Sequence, residues 1–254
     1  MPINIAIFLF IAGALGGALN AVAGGGSFIA FPALLFTGVA PIPANATNTV
    51  ALWVGVTASG SAFRKHLDIS KRVMVPLAVT SVIGGIAGAY LLLHTPAQTF
   101  LRVLPWLMLG ATLLFAFGAR LGRSGAGLGR DISTSALVFA SVFELIVSVY
   151  GGYFGGGVGI LNLAMFAVIG MTDIHAMNAL KVVLGGIING VAVITFILKG
   201  AVVWKQGTVM IVGAILGGYL GARYSLKLPP AWIRAFVIVV GTGMTAYFFW
   251  KGYV

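Results

Sequence analysis

The chain of 254 residues has no cysteine and only four acidic residues. The first absence excludes disulfides, thiol chemistry and cysteine-ligated metal, and it removes redox usage as a guide to compartment. Charged residues of both signs make up 7% of the chain, against about 25% in a soluble domain. So few charges cannot cover a water-facing surface, which excludes a soluble globular protein. Disorder needs low hydrophobicity, and 60% of these residues are hydrophobic. A polytopic, all-α membrane protein is the class that remains.

A spanning helix takes about 20 apolar residues, so the length predicts eight to ten membrane segments and leaves no room for an extramembrane domain. No Asp, Glu, Lys or Arg precedes Arg64. Helices are predicted over 4–22, 44–63, 73–93, 103–119, 132–150, 175–198, 206–223 and 232–250. Short apolar pieces at 28–36 and 160–169 follow glycine breaks. Pro41 and Pro43 read as a bend. Ala21-Val22-Ala23 resembles a cleavage site, but no positive segment precedes it and the glycine break recurs later, so a signal peptide is rejected.

The net charge of +11 raises the question of nucleic acid. The basic residues lie in short clusters between apolar runs, at Arg64–Arg72 and Arg120–Arg130. Cytoplasmic loops of a membrane protein have this pattern, and nucleic acid is not expected as a partner.

Landmarks recur at an offset near 130. Ala23–Gly26 matches Phe154–Gly157, Asn45–Asn48 matches His175–Asn178, and Gly84–Ala89 matches Gly217–Ala222. The order predicts two transmembrane repeats, 1–121 and 132–254, joined by a cytoplasmic linker at 122–131. The basic emphasis moves from the loop at 64–72 in the first half to Arg223, Lys227 and Arg234 in the second, which predicts inverted halves with discontinuous helices.

Backbone polar groups at membrane depth must be satisfied, so irregular backbone belongs where it lines a cavity or is buried in protein. Matched helix breaks in two halves point to a transporter's binding site. This puts Gly24, Gly25, Gly26 and Ser27, with Gly155, Gly156 and Gly157, in the candidate substrate site. The competing reading is close helix packing by small residues, which also accounts for Gly84, Gly85, Gly88, Gly217, Gly218 and Gly221. Asn45, Thr47 and Asn48, with His175 and Asn178, open the helices after the breaks. There they serve either as anion-binding donors at a positive helix end or as plain caps.

Lys181 is the only charged residue between Ile174 and Leu198. A cation inside the bilayer costs about 2.5–3.5 kcal/mol on insertion scales, and an anionic substrate would relieve that; an ion pair with Glu144 or snorkelling to the interface is the alternative. Glu144 is the only acid within an apolar run and the candidate for proton coupling. The tryptophans read as interfacial belts. His66, His94 and His175 lack metal-ligand spacing. No P-loop or catalytic constellation is present, so neither an enzyme nor a cofactor is expected.

Several of these residues also carry a family resemblance. Gly16-Gly-Ala-Leu-Asn-Ala-Val-Ala-Gly-Gly-Gly-Ser27, Pro43-Ala-Asn-Ala-Thr-Asn48, Phe63-Arg-Lys-His-Leu67, Tyr153-Phe-Gly-Gly-Gly157 and Ala179-Leu-Lys-Val-Val183 resemble the sulfite exporter TauE/SafE family, also called the toluene-sulfonate uptake permease family. The resemblance implies secondary transport of a small sulfur-containing or organic anion across the bacterial inner membrane, and it singles out Asn45, Thr47, Asn48 and Lys181. The expected partners are the small anion and the lipid bilayer, with a homodimer left open. An anion channel and a membrane-embedded enzyme or assembly subunit stand as rival classes.

Overall fold

Seven stretches of 20 to 25 residues carry few charges and no strong breaker outside their first turns except isolated prolines, and each forms a helix long enough to cross a bilayer. A computed structural model describes residues 1–23, 25–59, 70–121, 132–171, 173–224 and 230–253. Its helices are α1 (Ile3–Ala23), α2 (Ser27–Phe36), α3 (Pro41–Ser59), α4 (Lys71–His94), α5 (Ala97–Leu121), α6 (Thr134–Tyr153), α7 (Val158–Val168), α8 (Ile174–Leu198), α9 (Trp204–Tyr224) and α10 (Pro230–Tyr253). Six of them, α1, α4, α5, α6, α8 and α10, are apolar enough over their length to span a membrane. The described residues therefore form an all-α multi-pass membrane protein.

Two helices are short for a physical reason. α2 has 10 residues and α7 has 11, or about 15 Å at 1.5 Å per residue, half the hydrocarbon thickness. Both follow the predicted glycine breaks. Two boundaries differ from the sequence expectation. α3 begins at Pro41, because Pro41 and Pro43 both fall in its first turn, where a missing N–H removes nothing. α5 begins at Ala97, six residues early, and accommodates Arg102 and Pro105 inside it.

α3 is the polar helix of the set, and it lies in the interior. Asn45, Ala46, Thr47, Asn48, Val50, Ala51 and Leu52 are all buried, and α3 packs against α1, α2, α5, α8 and α9. Lipid-facing helices show the opposite: Ile83, Val138, Ile146 and Val239 stand more than half exposed. A soluble surface does not carry so much contiguous apolar area. Trp53 departs from the interfacial expectation, since it sits in the middle of α3 and donates from Nε1 to the Gly186 carbonyl at 3.0 Å.

The packing partners are exchanged between the halves. α1 packs on α9 and α6 on α4; α3 packs on α9 and α8 on α4; α2 meets α10 and α7 meets α5; α3 meets α8 and α5 meets α10 directly. Small residues make these approaches close. A Cβ on Gly13 or Gly17 would strike the backbone of Met210 or Ala214, and one on Gly213 or Gly217 would strike that of Phe10 or Ala14. The α4–α6 seam uses Gly84, Gly88 and Gly152 in the same way, as membrane helices do when backbone contact replaces the hydrophobic effect. A buried aromatic cluster fills the α2–α5–α10 region, with Phe31 at 6.1 Å from Phe100 and 6.0 Å from Phe248.

Candidate functional site

The two breaks differ in what their glycines do. Gly24 lies outside the described residues. Gly26 is a close-packing position: a Cβ there would meet the Gly16 carbonyl and lie 2.8 Å from Asn20 Cβ. Gly25 is likewise enclosed, by Val237, Phe115 and Phe28. Packing is thus the reason for glycine at positions 25 and 26. In the second triplet, Gly155 and Gly157 have φ of +86° and +80°, a region that side chains with a Cβ avoid. Tyr150 Oη donates to the Gly156 carbonyl at 2.5 Å, which holds the turn against the end of α6.

Because α3 starts at Pro41, Asn45 and Asn48 lie in its second turn rather than at its exposed N–H groups, and they act through their side chains. Asn48 Nδ2 donates to Ser27 Oγ at 3.1 Å, joining α3 to the start of α2. Asn45 Nδ2 donates to the Tyr153 carbonyl at 3.0 Å. Tyr153 ends α6, so Asn45 ties the first half to the break of the second. The Oδ1 atoms of Asn45 and Asn48 are both buried without a hydrogen-bond partner. Thr47 Oγ1 accepts from the Val203 N–H at 2.9 Å, just ahead of α9. That bond makes Thr47 an anchor for the entry to α9.

In the second half, α8 begins at Ile174 and carries His175 in its first turn; the His175 side chain lies outside the described residues. Lys181 Nζ donates to Asn178 Oδ1 at 2.9 Å. An ammonium has three donors, so two remain for a ligand. The Lys181 stem passes over Gly159 of α7, where a Cβ would lie 3.0 Å from Lys181 Cδ. Lys181 and Glu144 do not pair: Glu144 Oε1 accepts from Ser81 Oγ at 2.8 Å and Ser148 Oγ at 3.2 Å.

Residues 181, 185 and 189 form one stripe of α8 by their spacing of four. Gly185 and the adjacent Gly186 have no atom within 4 Å of where a Cβ would stand, so the helix backbone is open there. Asn189 closes the far end of the stripe. Its Nδ2 donates to the Gly185 carbonyl at 2.9 Å, and its Oδ1 lies 3.7 Å from a Cβ position on Gly155. Trp53 flanks the same stretch, with its ring over Gly190, 3.2 Å from a Cβ position there.

The structure thus places Lys181 and Asn178 at one end of this stretch of α8 and Gly155 at the other, beside Asn189, with Gly185, Gly186 and Trp53 between. Asn189 was legible as the polar residue eight positions after Lys181 in an apolar helix. Trp53 carried no signal, since only tertiary contact distinguishes an interior tryptophan from a belt one. Asn45, Asn48 and Ser27 form a second cluster at the first break, linked to the stretch through Tyr153. Among the described residues, no group of His, Asp and Glu could hold a metal ion.

A family profile described as "Sulfite exporter TauE/SafE" matches residues 9–248. A relative from Haemophilus influenzae, named "Probable membrane transporter protein", is 31% identical over 209 residues, covering 82% of this chain and 80% of the relative. "Probable membrane transporter protein ORF9" of a Sinorhizobium species is 28% identical over 217 residues, 83% of this chain and 79% of the relative. "Probable membrane transporter protein YfcA" of Escherichia coli K12 is 29% identical over 213 residues, 83% and 77% of the two chains. No solved structure matches. With near-complete coverage by the family profile, on a multi-pass helical fold with matched breaks, the chain belongs to the sulfite exporter TauE/SafE family of membrane transporters.

Proposed function

We propose that this chain is a secondary transporter that exports a small anion (sulfite, a sulfonate or a related organosulfur or organic anion) across the inner membrane by alternating access. The observation that carries this is Lys181: a lysine inside an apolar helix, with no carboxylate paired to it among the described residues and two donors unspent, next to an open stretch of helix backbone at Gly185 and Gly186. A cation at this depth is expensive unless a counter-charge arrives. The anion sits against Lys181 and Asn178, at the end of the open backbone stretch at Gly185 and Gly186. The cluster of Asn45, Asn48 and Ser27 supports the site from the first half. The exchanged packing partners support rocking of one inverted half against the other, because each half grips the other through equivalent helices. Gly25, Gly26 and Thr47 serve as framework in this reading.

Counterflow in proteoliposomes tests it. Purified protein preloaded with unlabelled sulfite should take up radiolabelled sulfite, with sulfate, sulfonates and carboxylates ranked as competitors. Saturable exchange supports a carrier. Conductance that does not saturate and lacks counterflow would make the protein an anion channel.

A further inference from the structure

Glu144 is the only glutamate in the chain, and the anion site does not use it. It is fully buried in the middle of α6. The Ser81 and Ser148 hydroxyls both donate to Oε1, and Oε2 has no partner. Asn162 of α7 flanks the same carboxyl. It too is fully buried, and neither of its amide atoms has a hydrogen-bond partner. Buried polar groups are nearly always satisfied. A fully buried carboxyl oxygen without a donor is a place that accepts one proton.

Among the described side chains, no other ionisable group touches Glu144. The helices packed along α6 are α4, α7 and α8, while α3 and α5 reach its Tyr153 end through Asn45 and Phe100. α4 contributes Lys71, Arg72, Tyr90 and His94, all exposed at its ends, and Arg72 is engaged with Thr134 Oγ1. α7 has no ionisable residue. α8 brings Lys181, held by Asn178, and His175, whose side chain lies outside the described residues. α6 itself adds Tyr150, bound to Gly156, and Tyr153 near Thr95.

α7 links the two sites. Asn162 lies three residues after Gly159, so they share a helix face. Gly159 supports the Lys181 stem while Asn162 meets Glu144. The helix is short and is entered through two glycines at positive φ. We propose that Glu144 is the group that carries a proton through the transport cycle, and that α7 couples its loading to anion occupancy at Lys181. The coupling rests on the transporter reading above. In each cycle one O–H bond forms at Oε2 with a proton from water on one side, and it breaks to water on the other.

Protein labelled with 13C-glutamate has one labelled carboxyl, so infrared difference spectroscopy reads Glu144 alone. The expected result is a labelled protonated-carboxyl band that bleaches as pH rises and shifts when sulfite is added. No labelled protonated band at any pH at which the protein stays folded would overturn the proton site. A band that titrates but ignores sulfite, in protein that exchanges sulfite, would overturn the coupling. In vesicles, Glu144→Gln should retain sulfite counterflow and lose accumulation driven by a pH gradient; accumulation equal to wild type would sink the proposal. Absence of counterflow in the wild type counts against the anion reading instead, and leaves the infrared result to decide the proton site.

Discussion

At the residue scale, the site depends on polar side chains placed singly in apolar helices. Lys181→Ala removes the one cation of α8, and sulfite counterflow should fall to background while the protein still elutes as a monodisperse peak; near-normal exchange would remove Lys181 from the site. Asn45 has a different duty. Its amide is the bridge from α3 to the end of α6, and Asn45→Ala leaves the Tyr153 carbonyl unpaired. Orphaning a buried acceptor costs about 1–3 kcal/mol, to be read as a lower midpoint of thermal unfolding in detergent, and unchanged unfolding would show the bridge to be idle. Lys181 and Glu144 stood out in the sequence because each breaks a long uncharged run. Asn162 and Ser81 did not, since a single amide or hydroxyl in a membrane helix is ordinary until its neighbour is known.

At the element scale, the breaks and the seams use glycine for two reasons. Gly157 needs positive φ, and an alanine there would be strained by about 1–2 kcal/mol. Gly157→Ala should therefore lower stability modestly and slow transport, because α7 starts directly after this residue. Wild-type flux in that variant would show that the entry to α7 need not move. At Gly217 the reason is contact, since a Cβ would collide with the Ala14 backbone. Gly217→Leu should prise α1 from α9 and abolish recovery of folded protein, whereas the same change at Gly243, which has nothing within 4 Å, should be tolerated. Comparing yields in a size-exclusion profile checks both at once. The short helices were legible from the glycine triplets and the length of the apolar pieces. The early starts of α3 and α5 were not, because a proline reads as a breaker in the chain; Pro41 and Pro43 are harmless in the first turn of α3, and Pro96 lies just before α5.

For the whole molecule, the exchange of packing partners makes one testable statement about orientation. In inverted halves, the ends of α4 and α9 face opposite sides of the membrane. The chain has no cysteine, so single replacements are clean reporters. Gln98→Cys should react with an impermeant maleimide from outside cells, and Arg223→Cys only after the membrane is opened; labelling of both from the same side would refute inversion.

Composition alone dictated a helical membrane protein, because four acids and fifteen bases cannot clothe a soluble surface. Periodic glycine and proline landmarks determined where the helices pause, since backbone breaks are local chemistry. Only the tertiary structure decided which polar residues meet. Asn45 and Tyr153 are 108 positions apart, and Trp53 and Gly186 are 133 apart. It also assigned Gly26 to packing and Gly157 to backbone conformation, because glycine in a sequence records a missing Cβ without saying whether a neighbour or a dihedral angle forbids one.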